Sequence, residues 1–410
     1  MPVIDVRDVV RNVEEAHRSH WATVLAATVR LTRDIDLAED CAQDAFVQAL
    51  RSWPDGIPDN PAGWLTTVAR RKALDRLRRE DSLRRKLPLL LVEETSESPD
   101  ADLTAPADPL RLVFTCCHPA LGRDAQLSLT LRLMCGLTTA EIGKVLLTKE
   151  ATIAARVTRA KQKIAAAGVP FRLPTDDQLP ERLDTVLTVV HLAYTAGHTA
   201  TGDALTRPEL TDRALRLARL LVAQLPDEPE AQGLLALLLF AQARGAARLG
   251  PAGDLVLLAD QDRSRWDTTL VHEGLALTTQ ALDGGGRFAL QAAIAGLHMT
   301  APSWETTDWR QVVRMYDALL LTWPSPVVAL NRLAATSLVP GADLPAVLAE
   351  LDVLALDPTL ERYAYVAATR ADVLSRLGRQ PEARAAYDIA IELSDNETER
   401  RFLRARRHSL

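Results

Sequence analysis

Between Leu127 and Ala167 the chain is written as two helices joined by a very short turn, the pattern of a helix-turn-helix. Thr138-Thr139-Ala140-Glu141 is a capping box. The Thr138 hydroxyl can accept from the amide of residue 141 while Glu141 reaches back, so a helix starts at Thr139. Ile142, Val145 and Leu146 share one side of it. Thr148 then offers a second N-cap, with Glu150 where the helix dipole favours an acid. On the second helix Ile153, Val157, Ala160 and Ile164 recur at helical spacing and predict the face turned toward the first. Thr152, Arg156, Arg159 and Lys163 lie about a quarter-turn away, and Ala151, Ala155, Thr158 and Gln162 lie opposite the core. Small outward residues flanked by cations suit a helix that enters a major groove while its flanks meet phosphates. The same pattern also fits any helical hairpin with a solvated basic flank.

At 410 residues, with 47% hydrophobic and 4% aromatic content, the chain can bury a large core, and its Ala- and Leu-rich runs predict an all-α protein of two or three domains. The net charge of -6 is unevenly spread. Residues 1 to 175 hold 25 basic and 23 acidic side chains, so +2, and the remainder holds 23 and 31, so -8. Cys41, Cys116, Cys117 and Cys135 lack CxxC spacing and read as reduced thiols in a cytoplasmic chain. Cys116-Cys117-His118 reads as core packing rather than a metal or redox site, because Val113 and Phe114 precede it. No signal peptide is visible, and the apolar run Gly233 to Ala243 is too short to span a bilayer, so no membrane partner is expected.

Val13 to Thr32 predicts a buried helix flanked by His17 and His20. Asp36 to Glu39 opens the next, with Leu37, Cys41, Ala45 and Ala49 inside and Glu39, Asp40 and Asp44 outside, a face either solvated or made for docking. After a Pro- and Gly-marked loop, Trp64 to Arg79 predicts a helix whose apolar stripe is irregular and whose charge is not: residues 62 to 86 hold nine basic side chains against Asp75, Glu80 and Asp81. Trp53 and Trp64 bracket the loop before it. Basic charge beside aromatic rings is how a protein tracks a phosphate backbone and holds unpaired bases. Residues 87 to 109 then form an acidic linker with no basic side chain after Lys86, expected to be extended.

Leu37-Ala38-Glu39-Asp40-Cys41-Ala42-Gln43-Asp44-Ala45-Phe46, followed by Gly63-Trp64-Leu65 and by Ala73 to Arg79, resembles region 2 of bacterial RNA polymerase sigma factors of the extracytoplasmic-function class. The helix-turn-helix resembles their region 4. The resemblance covers about residues 8 to 170 and implies three surfaces. Residues 37 to 50, with Glu39, Asp40, Gln43, Asp44 and Phe46, would dock on core RNA polymerase. Residues 53 to 79, with Trp64, Arg70, Arg71, Lys72, Arg76, Arg78 and Arg79, would read and melt the -10 element of double-stranded promoter DNA. Residues 149 to 163, with Lys149, Thr152, Ala155, Arg156, Thr158, Arg159 and Lys163, would read the -35 element. On this reading the domains are residues 8–86, a linker at 87–109, and residues 110–170.

Residues 180–410 resemble the long helical extension of one subgroup of these factors and carry a repeat signal of their own. Val312, Ala346 and Ala383 each begin a stretch with Tyr316, Glu350 or Tyr387 four on and Leu319, Val353 or Ala390 seven on, as in the second helix of a tetratricopeptide repeat. Pro324 and Pro358 fall twelve on, and an earlier copy begins at Ala214. Such arrays bind protein partners on a curved surface, and a regulatory role follows as an expectation. No catalytic motif is present beyond an isolated His272-Glu273, so no enzyme, metal or cofactor is expected. A stand-alone helix-turn-helix regulator with a ligand- or protein-sensing array stays open beside the sigma-factor reading.

Overall fold

The computed structural model describes residues 5–86, 109–146, 148–169, 171–175, 177–198, 208–250, 255–394 and 396–410. The protein is all-α: among the described residues there is no strand, and Leu249 and Leu255 make one isolated bridge. The chain forms two compact units, Met1–Ala193 with Asp212–Ala214, and Tyr194–Thr211 with Leu215–Leu410. The acidic linker lies outside the described residues, except for Pro109.

In the first unit α1 (Val6–Thr32), α2 (Ile35–Ser52) and α3 (Pro61–Lys86) pack on one another. Their boundaries are local chemistry. The Asp34 carboxylate accepts from the Leu37 amide at 3.0 Å to start α2, and Asn60 accepts from the Gly63 amide at 2.9 Å at the start of α3. Ala38, Ala42, Ala45 and Ala49 are wholly buried along α2. These small side chains let its backbone approach its neighbours, while Trp21, Leu25, Trp53 and Leu65 fill the space between. Each Leu of that size buried in full contributes roughly 1.5–3 kcal/mol.

The same unit continues through α4 (Pro109–Cys116), α5 (Arg123–Leu133), α6 (Thr139–Val145) and α7 (Glu150–Ala166) into the start of α8 (Leu179–His198). Phe114, Leu129, Leu131 and Leu133 form its interior. Cys116 and Cys117 are buried beside them, and burial pushes the Cys117 thiol up to about 12, so it stays protonated. This unit runs on past residue 170, the expected end of the helix-turn-helix domain. Leu183, Val186, Leu187 and Val190 are buried, and Arg182 donates to the Phe114 carbonyl.

Apart from Asp212–Ala214, the second unit holds α9 (Pro208–Gln224), and it holds α10 (Pro229–Ala243), α11 (Thr268–Ala281), α12 (Arg287–Thr300), α13 (Trp309–Thr322), α14 (Pro326–Leu338), α15 (Leu344–Leu354), α16 (Ala364–Arg376), α17 (Gln380–Leu393) and α18 (Glu397–His408). Successive helices from α12 to α18 pack in pairs along the chain. Gly233 of α10 allows a close crossing with α12, since a Cβ there would stand 2.5 Å from the Ala289 amide nitrogen. Glu230 caps α12 from a distance by accepting from the Phe288 and Ala289 amides at 3.0 and 3.1 Å.

In the expected repeat register, Val312 and Ala383 are buried together with Leu319, Tyr387 and Ala390. At the middle copy it is displaced by one residue. Ala346, Glu350 and Val353 face outward, with Val353 70% exposed, and Val347, Leu348 and Leu351 form the inner face of α15. A helix with apolar residues on both sides, as α15 is with its Leu and Val, satisfies two registers in sequence; packing selects one.

Candidate nucleic-acid interface

The helix-turn-helix is built largely as its sequence specifies. Thr138 and Glu141 close the capping box, the Glu141 amide donating to Thr138 Oγ1 at 3.2 Å and the Thr138 amide donating to Glu141 Oε2 at 2.8 Å. The second cap is different. Lys149 occupies the N-cap of α7, and Thr148 instead turns its hydroxyl back to the Leu146 carbonyl at 3.0 Å. Glu150 at the first turn accepts from Thr139 Oγ1 at 2.9 Å, which ties the starts of the two helices together. Gly143 makes the tight turn feasible, because a Cβ there would meet the Thr148 carbonyl oxygen at 2.7 Å.

On α7, Ile153, Val157, Ala160 and Ile164 are buried against α5 and α6, as their spacing predicts. That orientation places Thr152, Thr158, Arg159, Gln162 and Lys163 at the surface, with Ala155 half-buried among them and Lys149 exposed at the helix start. Arg156 departs from the expected phosphate stripe. It turns toward α5 and pairs with Asp124 at 2.9 Å, only 25% exposed.

A second cationic face lies on α3. Thr67, Arg70, Arg71, Leu74, Asp75 and Arg78 border one shallow depression. Arg71, Arg78 and Arg79 are exposed, whereas Arg70 is half-buried and its pKa is drawn down by burial and by Arg30. Trp64 is half-buried near this helix's start, its ring set edge-on to the buried Trp53 at 5.8 Å. Lys72 and Arg76 are engaged elsewhere: Arg76 donates to Asp40 at 3.2 Å and to Asp44 at 2.9 Å, and Lys72 stands 3.9 Å from Asp44. The expected outer acidic face of α2 is thus held in part by α3. The side chains of Arg84, Arg85 and Lys86 lie outside the described residues.

Two residues of the expected polymerase-docking set are not on the surface. Phe46 is 6% exposed and packs against His17 and Trp21, with ring centroids 5.0 and 5.9 Å away. His17 accordingly lies within the aromatic cluster, not at a flank. Glu39 is 6% exposed, accepts from Lys161 of α7 at 2.7 Å and forms an ion pair with Arg132 of α5 at 2.8 Å. Lys161 also reaches Asp36 at 2.7 Å, and Trp21 Nε1 donates to the Leu133 carbonyl at 2.9 Å. Burial lowers the Lys161 pKa, and its hydrogen bonds to Asp36 and Glu39 more than reverse this, leaving it raised.

Besides Arg51 near its end, α2 exposes one stripe: Asp36, Asp40, Gln43, Val47 and Leu50, with Val47 46% and Leu50 43% exposed. The steps of four, three, four and three residues follow the helical period, a signal available in the sequence once the inner face of Cys41, Ala45 and Ala49 is widened to take in Ala38, Ala42 and Phe46. Asp36, Val47 and Leu50 stand outside the set of residues expected to dock. Among the described residues no group of three His, Cys, Asp or Glu could hold a metal, and no helix is long and apolar enough to cross a membrane.

Comparison with known families matches residues 17–83 to sigma-70 region 2 and residues 111–164 to sigma-70 region 4. Residues 182–282 match a family of unknown function (DUF6596). An uncharacterized protein of Rhizobium meliloti is 40% identical over 391 residues, covering 93% of this chain and 91% of its own. The probable ECF RNA polymerase sigma factor SigI of Mycobacterium tuberculosis is 30% identical over 37% of this chain, which spans 54% of that protein. SigJ of the same organism, also an ECF RNA polymerase sigma factor, is 28% identical over 49% of this chain and 67% of its own. No solved structure matches.

Proposed function

The chain belongs to the sigma-70 factors of the extracytoplasmic-function class, as an alternative sigma factor with a C-terminal extension, and on that premise we propose how its surfaces divide the work. The observation that carries the proposal is the presence in one chain of two separate cationic faces, on α3 and on α7, beside an exposed acidic-to-apolar stripe on α2. A simple operator-binding regulator needs one DNA-reading face. A factor that positions polymerase and opens a promoter needs two, and a third surface for the polymerase.

The α2 stripe of Asp36, Asp40, Gln43, Val47 and Leu50 docks on core RNA polymerase. Trp64, Arg71, Arg78 and Arg79 hold the -10 element, the cations on phosphates and the ring against unpaired bases. Thr152, Ala155, Thr158 and Gln162 meet base edges of the -35 element, and Lys149, Arg159 and Lys163 meet its phosphates. The chain contributes recognition, and the chemistry of RNA synthesis stays with the polymerase. The extension serves regulation of this step.

The two readers cannot stay as they stand while bound. The two promoter elements are centred about 25 base pairs apart, roughly 85 Å of B-DNA at about 3.4 Å per step. Here Lys161 of the -35 reader touches Glu39 of region 2 at 2.7 Å. The linker of residues 87–109 can span roughly 80 Å when extended, at about 3.5 Å per residue. Engagement of polymerase therefore separates the two readers and breaks the Lys161 contacts.

Run-off transcription with purified core polymerase and genomic promoter fragments tests this function. Transcripts that require both the chain and core are expected. Specific promoter binding by the chain that is unchanged when core is withheld, with no transcript, defeats it.

A further inference from the structure

The second unit contains a cavity of about 410 Å³ between α14, α16 and α18, with Leu255 and Leu257 along one side. Its size falls within the roughly 300–1,000 Å³ typical of small-molecule sites. The space exists because α16 turns Ala364 and Ala368, one helical turn apart, toward Phe402 and Leu403 of α18. Two small side chains where large ones would close the gap leave a volume whose walls are mostly apolar, poorly matched to water.

Besides the hydroxyls of Ser337, Thr369 and Tyr387, the polar groups are set in two places. At one, Arg406 donates to Asp372 at 3.0 Å, so that carboxylate has its counter-charge. At the other, Tyr365 Oη donates to Glu399 Oε1 at 2.7 Å, and Ser394 Oγ donates to Glu399 Oε2 at 3.2 Å. A carboxylate carries about four lone-pair sites, and a phenol that has donated its proton keeps acceptor capacity. The spare hydrogen-bonding capacity at this dyad is therefore that of an acceptor. Two donors, Tyr365 and Ser394, already reach Glu399 and the surrounding walls are mostly apolar, so a cation would lose its hydration there and the dyad suits a neutral donor.

We propose that this cavity is a binding site for a small neutral molecule with an apolar body and a hydroxyl group, the hydroxyl donating to the Tyr365–Glu399 pair and the body lying between Ala368 and Phe402. The assignment rests on the second unit alone and is independent of the promoter-recognition reading.

Calorimetric titration of the full chain with 2-(1-naphthyl)ethanol, alongside its methyl ether, tests it. One saturable site per chain is expected for the alcohol, with the ether at least tenfold weaker for want of the donor. Tyr365→Phe and Glu399→Gln should each bring the alcohol-to-ether preference close to one. Ala368→Trp should abolish binding of both, and Ala364→Phe serves the same purpose should the first variant lose helicity by circular dichroism. Absence of saturable binding to the wild-type chain, equal binding of alcohol and ether, or full binding by the folded filled-cavity variants overturns the proposal.

Discussion

Lys161 and Glu39 are 122 residues apart in sequence and 2.7 Å apart in space, and both side chains are largely shielded from water, at 12% and 7% exposure. A buried ion pair adds little net stability, but removal of one partner is costly because it strands the other. Here Arg132 remains to hold Glu39. Lys161→Ala should therefore loosen region 4 from region 2 without unfolding either. Core polymerase should bind the variant several-fold more tightly in a fluorescence titration, since less of the closed form has to open. Unchanged or weaker affinity in a folded variant rules out the latch.

The free and the paired cations on α7 should separate under salt. Arg159 and Lys163 are exposed, so each Ala substitution should weaken promoter binding by the holoenzyme and lower its salt dependence by about one unit of slope. Arg156 is paired with Asp124, and Arg156→Ala should leave that slope close to wild type. Equal slope changes for all three residues would show that the Asp124 pair gives way on DNA.

On α2 the exposed and buried apolar residues predict opposite phenotypes. Val47→Asp or Leu50→Asp should preserve the melting temperature and reduce core binding at least tenfold in a pull-down titration. Phe46→Ala should cost about 3–5 kcal/mol in stability, because it empties the space beside His17 and Trp21. Intact core binding by both Asp variants would return this stripe to solvent.

Gly143 sets the geometry of the turn. In Gly143→Ala the new Cβ would press on a backbone oxygen, which cannot swing away as a flexible side chain would. Promoter binding should fall at least tenfold while α1 to α3 keep their amide-exchange protection. Wild-type DNA affinity would mean that the turn between α6 and α7 can relax.

His17 gives the first unit a dependence on acid. Burial, and then Arg213 and Arg132, hold its pKa down to about 4 against an ordinary 6.5. The unfolded chain therefore takes up the proton first. The stabilisation is complete above pH 6.5 and is lost as pH falls through 4. Chemical denaturation of His17→Gln should show a flatter decline over that window than wild type; parallel curves would place the acid sensitivity elsewhere.

The sequence by itself determined what is local. The capping box at Thr138 and Glu141, the inner stripe of Ile153, Val157, Ala160 and Ile164, the basic run on α3 and the helical class of the whole chain depend on neighbours within one or two turns. Tertiary structure alone decided which of two adjacent faces turns inward where alanine is common. At about 100° per residue, a shift of one position moves a side chain from water to core, and Ala tolerates both. That is why Glu39 and Phe46 lie inside while Val47 and Leu50 lie outside, and why α15 buries Val347 in place of Ala346. It also decided which cations are free: Arg156 and Arg76 meet carboxylates from other helices, whereas Arg159 and Arg78 stand at the surface, and no spacing along a single helix records what packs against it.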